Sequence, residues 1–83
     1  MSQPKKAPVP PIVSDVTPGV YRHYKGNRYR VLSLAHHSET LEELVIYEAL
    51  DTETGVWARP LSMWSETVIV NGVTMRRFER VDE

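Results

Sequence analysis

The sequence predicts a mainly β domain, a small barrel of about five or six short antiparallel strands behind a disordered proline-rich leader. Three observations carry that prediction. Segments rich in Val, Ile, Tyr and Leu recur at short, regular spacing. Turn-forming residues separate them: Pro18-Gly19, Gly26-Asn27, Gly55 and Asn71-Gly72. The whole chain is 83 residues long, which allows one domain.

Residues 1–17 hold Pro4, Pro8, Pro10 and Pro11 with Lys5 and Lys6. Such a composition favours extended polyproline II and offers little to a core. The segment is expected to be a disordered leader, dispensable for folding, with the domain spanning residues 18–83. Lys5-x-x-Pro8-x-x-Pro11 also fits the basic PxxP pattern of peptides that dock on SH3 domains.

Pro18-Gly19 opens the domain. Residues 19–24 read as a strand, Lys25-Gly26-Asn27 as a tight turn and residues 28–35 as the partner strand. Tyr29, Val31, Ser33 and Ala35 fall on one face of that strand; Arg28, Arg30, Leu32 and Leu34 fall on the other. Both faces carry apolar residues, so a bend or bulge is expected near Val31. Residues 41–50 carry two signals. Thr40-x-x-Glu43 is a capping-box pattern with helical spacing of Leu41, Leu44 and Val45, whereas Val45-Ile46-Tyr47 are β-formers. Residues 44–50 are assigned to a strand, residues 51–55 to a hairpin loop and residues 56–59 to its partner. Pro60 ends that strand because it has no N–H to donate. Residues 61–65 form one helical turn. Residues 67–70 and 73–77 make a hairpin about Asn71-Gly72, a pair that favours a type I′ turn.

Composition excludes several function classes. There is no cysteine, hence no disulfide framework, thiolate nucleophile or cysteine metal site. Absence of cysteine fits a cytoplasmic protein. No apolar run approaches the roughly 20 residues of a membrane span, and the start lacks a signal-peptide core. There is no phosphate loop and no dinucleotide fingerprint. Net charge is −1, which exerts no global pull on nucleic acid. Charge is nonetheless segregated. Arg22, Lys25, Arg28 and Arg30 occupy one window without acids, and Glu39, Glu42, Glu43, Glu48, Asp51 and Glu53 the next without cations. Complementary pairing across neighbouring strands is the expected use of that pattern.

Four motifs in order carry a resemblance: Tyr24-Lys25-Gly26-Asn27-x-Tyr29-x-Val31, Ala35-x-His37-Ser38-Glu39-Thr40, Trp57-x-Arg59-Pro60-Leu61-x-Met63, and Arg77-Phe78. Over residues 19–81 the chain resembles the bacterial family known as domain of unknown function 1653. The resemblance implies an SH3-like barrel and implies no activity. Trp64 and Ala58 depart from its pattern, where Phe and Val are expected.

The residues themselves point to a non-enzymatic ligand-binding or adaptor module. Tyr24, His37, Glu39, Arg59 and Trp64 combine stacking area, an imidazole and a guanidinium, and they flank turns, where binding groups concentrate. They are expected to form one surface for a protein, peptide or small polar ligand. No cofactor or metal is expected. One of the two tryptophans must fill the core, since the chain has one Phe. An alternative is a small metal-dependent or acid–base enzyme using His37 and Glu39. However, His36 and His37 point to opposite faces of a strand, and a zinc site needs at least three ligands. A further alternative is weak single-stranded nucleic-acid binding through the same aromatics with Arg22, Lys25, Arg28 and Arg30. For residues 37–40, a hydrogen-bonded turn closing the second strand is the structural reading.

Overall fold

The computed structural model describes residues 11–81. The chain runs β1 (Gly19–His23), β2 (Arg28–His36), β3 (Glu43–Ala49), β4 (Val56–Pro60), α1 (Leu61–Trp64), β5 (Thr67–Val70), β6 (Val73–Arg76) and β7 (Phe78–Arg80). The fold is mainly β, and its strand pairs are antiparallel. Five strands form one sheet in the order β4-β3-β2-β1-β7, and β5 and β6 form a separate two-stranded ribbon.

Turn chemistry explains the hairpins. In the β1–β2 turn the Gly26 N–H donates to the His23 carbonyl (2.7 Å), and His23 N–H donates to the Asn27 carbonyl (2.8 Å). Gly26 takes φ 113°, which a side chain would resist. Asn71 (φ 51°) and Gly72 (φ 79°) both lie in the left-handed region, as a type I′ turn requires. The β2–β3 register slips between Val31 and Ser33, so the bulge lies where the two-faced apolar pattern of β2 calls for it. The β-formers prevail over the capping-box pattern, and Glu43–Ala49 is a strand. The charge windows meet across strands: Arg30 lies opposite Glu48, and Arg28 pairs with Asp51 at 3.0 Å.

Among the described residues seven strands are found where the sequence reading has six. The extra one arises at Arg77, the hinge between two pairings. Its N–H donates to the Glu66 carbonyl (3.0 Å), which continues the ribbon, and its own carbonyl accepts the Tyr24 N–H (2.9 Å), which begins the alignment with β1. The chain therefore crosses from ribbon to sheet edge within one residue, and β7 then pairs with β1.

Aromatic rings dominate the core. Trp64 is 1% exposed and stacks on Phe78, with centroids 3.7 Å apart and planes 4° from parallel. Tyr21 meets Trp64 edge-on at 5.7 Å, and Tyr47 lies 5.1 Å from it. Val31, Val45 and Leu61 fill the remaining space. Pro60 ends β4 and sets the single turn of α1, which delivers Leu61 and Trp64 inward three residues apart.

The expected boundary before Pro18 falls inside the packed chain. Val16 is 6% exposed and belongs to the core cluster, with Ile12 packed against it. The Tyr21 hydroxyl donates to the Thr17 carbonyl and accepts from the Thr17 N–H, both at 3.0 Å. Residues 12–17 are thus part of the fold rather than a leader, because two aliphatic side chains find the open side of the core. The Lys5-x-x-Pro8 part of the PxxP motif lies outside the described residues.

Candidate functional site

Two of the five residues named from sequence share a neighbourhood. Tyr24 sits in the β1–β2 turn, 36% exposed, with its ring 4.5 Å from that of His23. His23 in turn meets Phe78 edge-on at 4.9 Å. The Arg59 guanidinium, arriving from β4, lies over the same Phe78 ring at 5.6 Å. Tyr24 and Arg59, 35 positions apart in the chain, are therefore joined through His23 and Phe78. Lys25 places its ammonium 5.8 Å from the Tyr24 ring centroid.

The other three do not join that surface, Trp64 because it is buried beneath Phe78 and His37 and Glu39 because they lie elsewhere. Trp64 is core and presents no surface, which corrects its assignment to a binding face; the indole was needed to stack on Phe78. Trp57 is the exposed tryptophan, at 53%, with its indole N–H donating to the Thr54 hydroxyl (3.3 Å). His37 and Glu39 stand in the β2–β3 loop, at the opposite end of β2 from Tyr24. Nine residues of strand span on the order of 25–30 Å of backbone, so one small ligand cannot bridge the two ends. His37 there shapes the turn. Its Nδ1 accepts the N–H of Glu39 (3.1 Å) and of Thr40 (3.3 Å), while its own backbone brackets the loop through Glu42 and Leu41. Leu41 takes φ 63°, a strained value for a leucine that this network sustains.

His23 repeats the device at the other hairpin. Its Nδ1 accepts the Lys25 N–H at 3.1 Å. An accepting Nδ1 carries no proton, so the neutral ring is the Nε2–H tautomer and Nε2–H is a donor. Burial, and then the charges of Arg77, Lys25 and Arg59, hold the His23 imidazolium below its ordinary pKa.

A cleft of about 160 Å³ opens beside this ring, lined by Arg22, His23, Tyr24, Met75, Arg76 and Glu79. A second, of about 250 Å³, shares Arg76 and Glu79 and continues past Asp15, Val16 and Tyr21. Arg76 pairs with Asp15 at 3.3 Å, both side chains exposed, and Arg77 with Glu66 at 3.6 Å, the arginine partly buried. The Nε atoms of Arg59 and Arg77 are buried without an acceptor among the described residues. Sequence reading reached Arg22 and Lys25 through their acid-free window. It missed His23, Arg76 and Arg77 as members of the site, because only the Arg77 crossover brings β6 and β7 beside β1. Among the described residues no group of three or more His, Asp or Glu is placed to hold a metal ion, and no helix is long and apolar enough to cross a membrane.

No curated protein matches the chain. Among solved structures it is similar to the crystal structure of a DUF1653 protein from Bordetella bronchiseptica. The two share 43% sequence identity and a TM-score of 0.74, over 81% of this chain and 88% of that one. The family model for the protein of unknown function DUF1653 matches residues 19–80. With most of its length matched by that model and its fold shared with that relative, the chain belongs to the DUF1653 family.

Proposed function

We propose that the protein is a non-enzymatic binding or adaptor module acting in the cytoplasm, an SH3-like barrel whose binding surface centres on Tyr24, His23 and Arg59. The partner is a protein, a peptide or a small polar ligand. The observation that carries this reading is the convergence of an exposed phenol, an imidazole donor and a guanidinium through Phe78. Such a surface offers stacking area and charge-assisted hydrogen bonds together. The acid–base alternative at His37 and Glu39 has less support, since Nδ1 of His37 is committed to two turn amides.

An amide-shift NMR titration with pooled peptides, nucleotides and small polar compounds tests the proposal. Saturable shifts at His23, Tyr24, Lys25 and Arg59 are expected. Arg59→Ala should weaken the best ligand by roughly 1–3 kcal/mol, the cost of losing a charge-assisted contact. Shifts confined to the β2–β3 loop, or none from any ligand class, would refute the surface.

A further inference from the structure

We infer that Asn71 is a site of spontaneous covalent modification in the folded chain, and that Asn27 is spared by a hydrogen bond to Asp51. At Asn71 the side-chain amide is lost to the Gly72 nitrogen, which leaves an aspartyl or isoaspartyl residue at the tip of the β5–β6 ribbon. The inference is independent of the binding surface at Tyr24, His23 and Arg59.

The reaction needs only water. The Gly72 backbone nitrogen attacks the Asn71 side-chain carbonyl carbon. The new C–N bond closes a five-membered succinimide, and the bond from that carbon to Nδ2 breaks. The proton of the attacking nitrogen leaves with the amide group as ammonia. Water then adds to one of the two ring carbonyls and opens the ring. Opening at the side-chain carbonyl gives an aspartyl residue. Opening at the backbone carbonyl gives an isoaspartyl residue, in which the chain runs through the side-chain carbon. In sum one water is consumed and one ammonia released. Because the attacking species is the deprotonated amide nitrogen, the reaction favours a nitrogen held by no acceptor and followed by no bulky side chain.

The fold treats the chain's two asparagines differently. Both are exposed, so exposure does not separate them. Asn27 precedes Arg28, whose N–H donates to the Asp51 carboxylate at 2.7 Å. An N–H held by a carboxylate resists loss of its proton. The Asn27 carbonyl is anchored as well, accepting the His23 N–H at 2.8 Å. Asn71 precedes Gly72. Among the described residues neither the Asn71 side-chain amide nor the Gly72 N–H makes a hydrogen bond. No atom beyond the adjoining residues stands within 4 Å of a Cβ built on Gly72. Asn71 also sits at φ 51°, a conformation that residues other than glycine hold at a cost. The glycine that permits the turn thus removes the steric barrier to ring closure.

The product changes the ribbon. No charged side chain lies between Thr67 and Met75, so the new carboxylate is the first, set between the exposed Val70 and Val73. An isoaspartyl residue lengthens the backbone of the two-residue loop that joins the Val70–Val73 pair, and a type I′ turn no longer fits. Since β5 and β6 form a sheet of their own, the damage is centred there.

The test is incubation of the full chain in mildly alkaline and mildly acidic buffer, followed by proteolysis and mass spectrometry. The peptide holding Asn71 should gain about 1 Da and split into two chromatographic forms, faster in the alkaline buffer, with no gain at Asn27 over the same interval. Asn71→Gly keeps the turn chemistry and should abolish the gain. Arg28→Gly gives both asparagines a glycine neighbour but leaves an N–H for Asp51. In that chain position 71 should still convert about tenfold faster than position 27 or more, a barrier difference of about 1.4 kcal/mol. Unchanged mass at Asn71, over an interval in which a capped Val-Asn-Gly-Val peptide converts, would overturn the site. Conversion at Asn27 first in the parent chain, or equal conversion at both positions of the Arg28→Gly chain, would overturn the protection by Asp51.

Discussion

Deleting residues 1–17, so that the chain begins at Pro18, removes a short segment with four prolines, yet it should destabilise the domain by about 3 kcal/mol. Val16 is 6% exposed within the core cluster, and burying a valine contributes about 1.5–3 kcal/mol. Deletion strips the Tyr21 hydroxyl of both Thr17 contacts, worth about 1 kcal/mol in net terms. The Asp15–Arg76 pair is exposed on both sides and adds little. A domain of this size has a total stability of only several kcal/mol, so the loss is a large fraction of the whole. Urea unfolding followed by circular dichroism reads it directly. With a slope near 1–2 kcal/mol/M, the midpoint should fall by roughly 1.5–3 M at unchanged slope. Two controls separate the causes. A chain beginning at Pro11 keeps Ile12, Val16 and Thr17 and should retain most of the stability. Val16→Ala in the full chain should cost about 2 kcal/mol. A midpoint for the Pro18 chain within about 0.3 M of the parent would refute the reasoning and restore the segment as a dispensable leader.

Trp64→Ala should cost about 3–5 kcal/mol and leave the domain largely unfolded at ambient temperature, while Trp57→Ala should shift the urea midpoint by less than about 0.5 kcal/mol equivalent. Gly72→Val should destabilise by roughly 1–2 kcal/mol from backbone strain alone, since φ is 79° and open space surrounds the added Cβ; an unchanged midpoint would rule out the type I′ turn. His23 has a folded pKa below its unfolded value. The unfolded chain therefore binds more protons in the interval between them. Stability should be flat above about pH 7 and decline as pH falls through about 6.5 toward the folded pKa. His23→Gln should flatten that interval in pH-dependent melts, and an unaltered slope would mean that another group carries it.

Local backbone chemistry was legible in the sequence. Asn71-Gly72 and Gly26 announce their turns because few residues tolerate positive φ. The bulge beside Val31 follows from apolar residues on both faces of one strand, and Val45-Ile46-Tyr47 outweigh a capping box because β-branched and aromatic side chains fit a pleated, half-buried surface. The four spaced motifs sufficed to point to the family. What sequence could not rank was long-range choice. Trp57 and Trp64 are equivalent as side chains; one is buried because Pro60 and a single helical turn aim it at Phe78, the other exposed because β4 lies at the sheet edge. Val16 carries no periodic signal among prolines, so only the shape of the core reveals its place. Tyr24 and His37 look alike as turn-flanking aromatics, and only the length and direction of β2 part them. The cleft between β1, β6 and β7 likewise depends on the crossover at Arg77, where two backbone hydrogen bonds from different partners decide which strand β7 joins. Turn preference is a property of two or three neighbouring residues, whereas burial and convergence are settled by contacts between segments far apart in the chain.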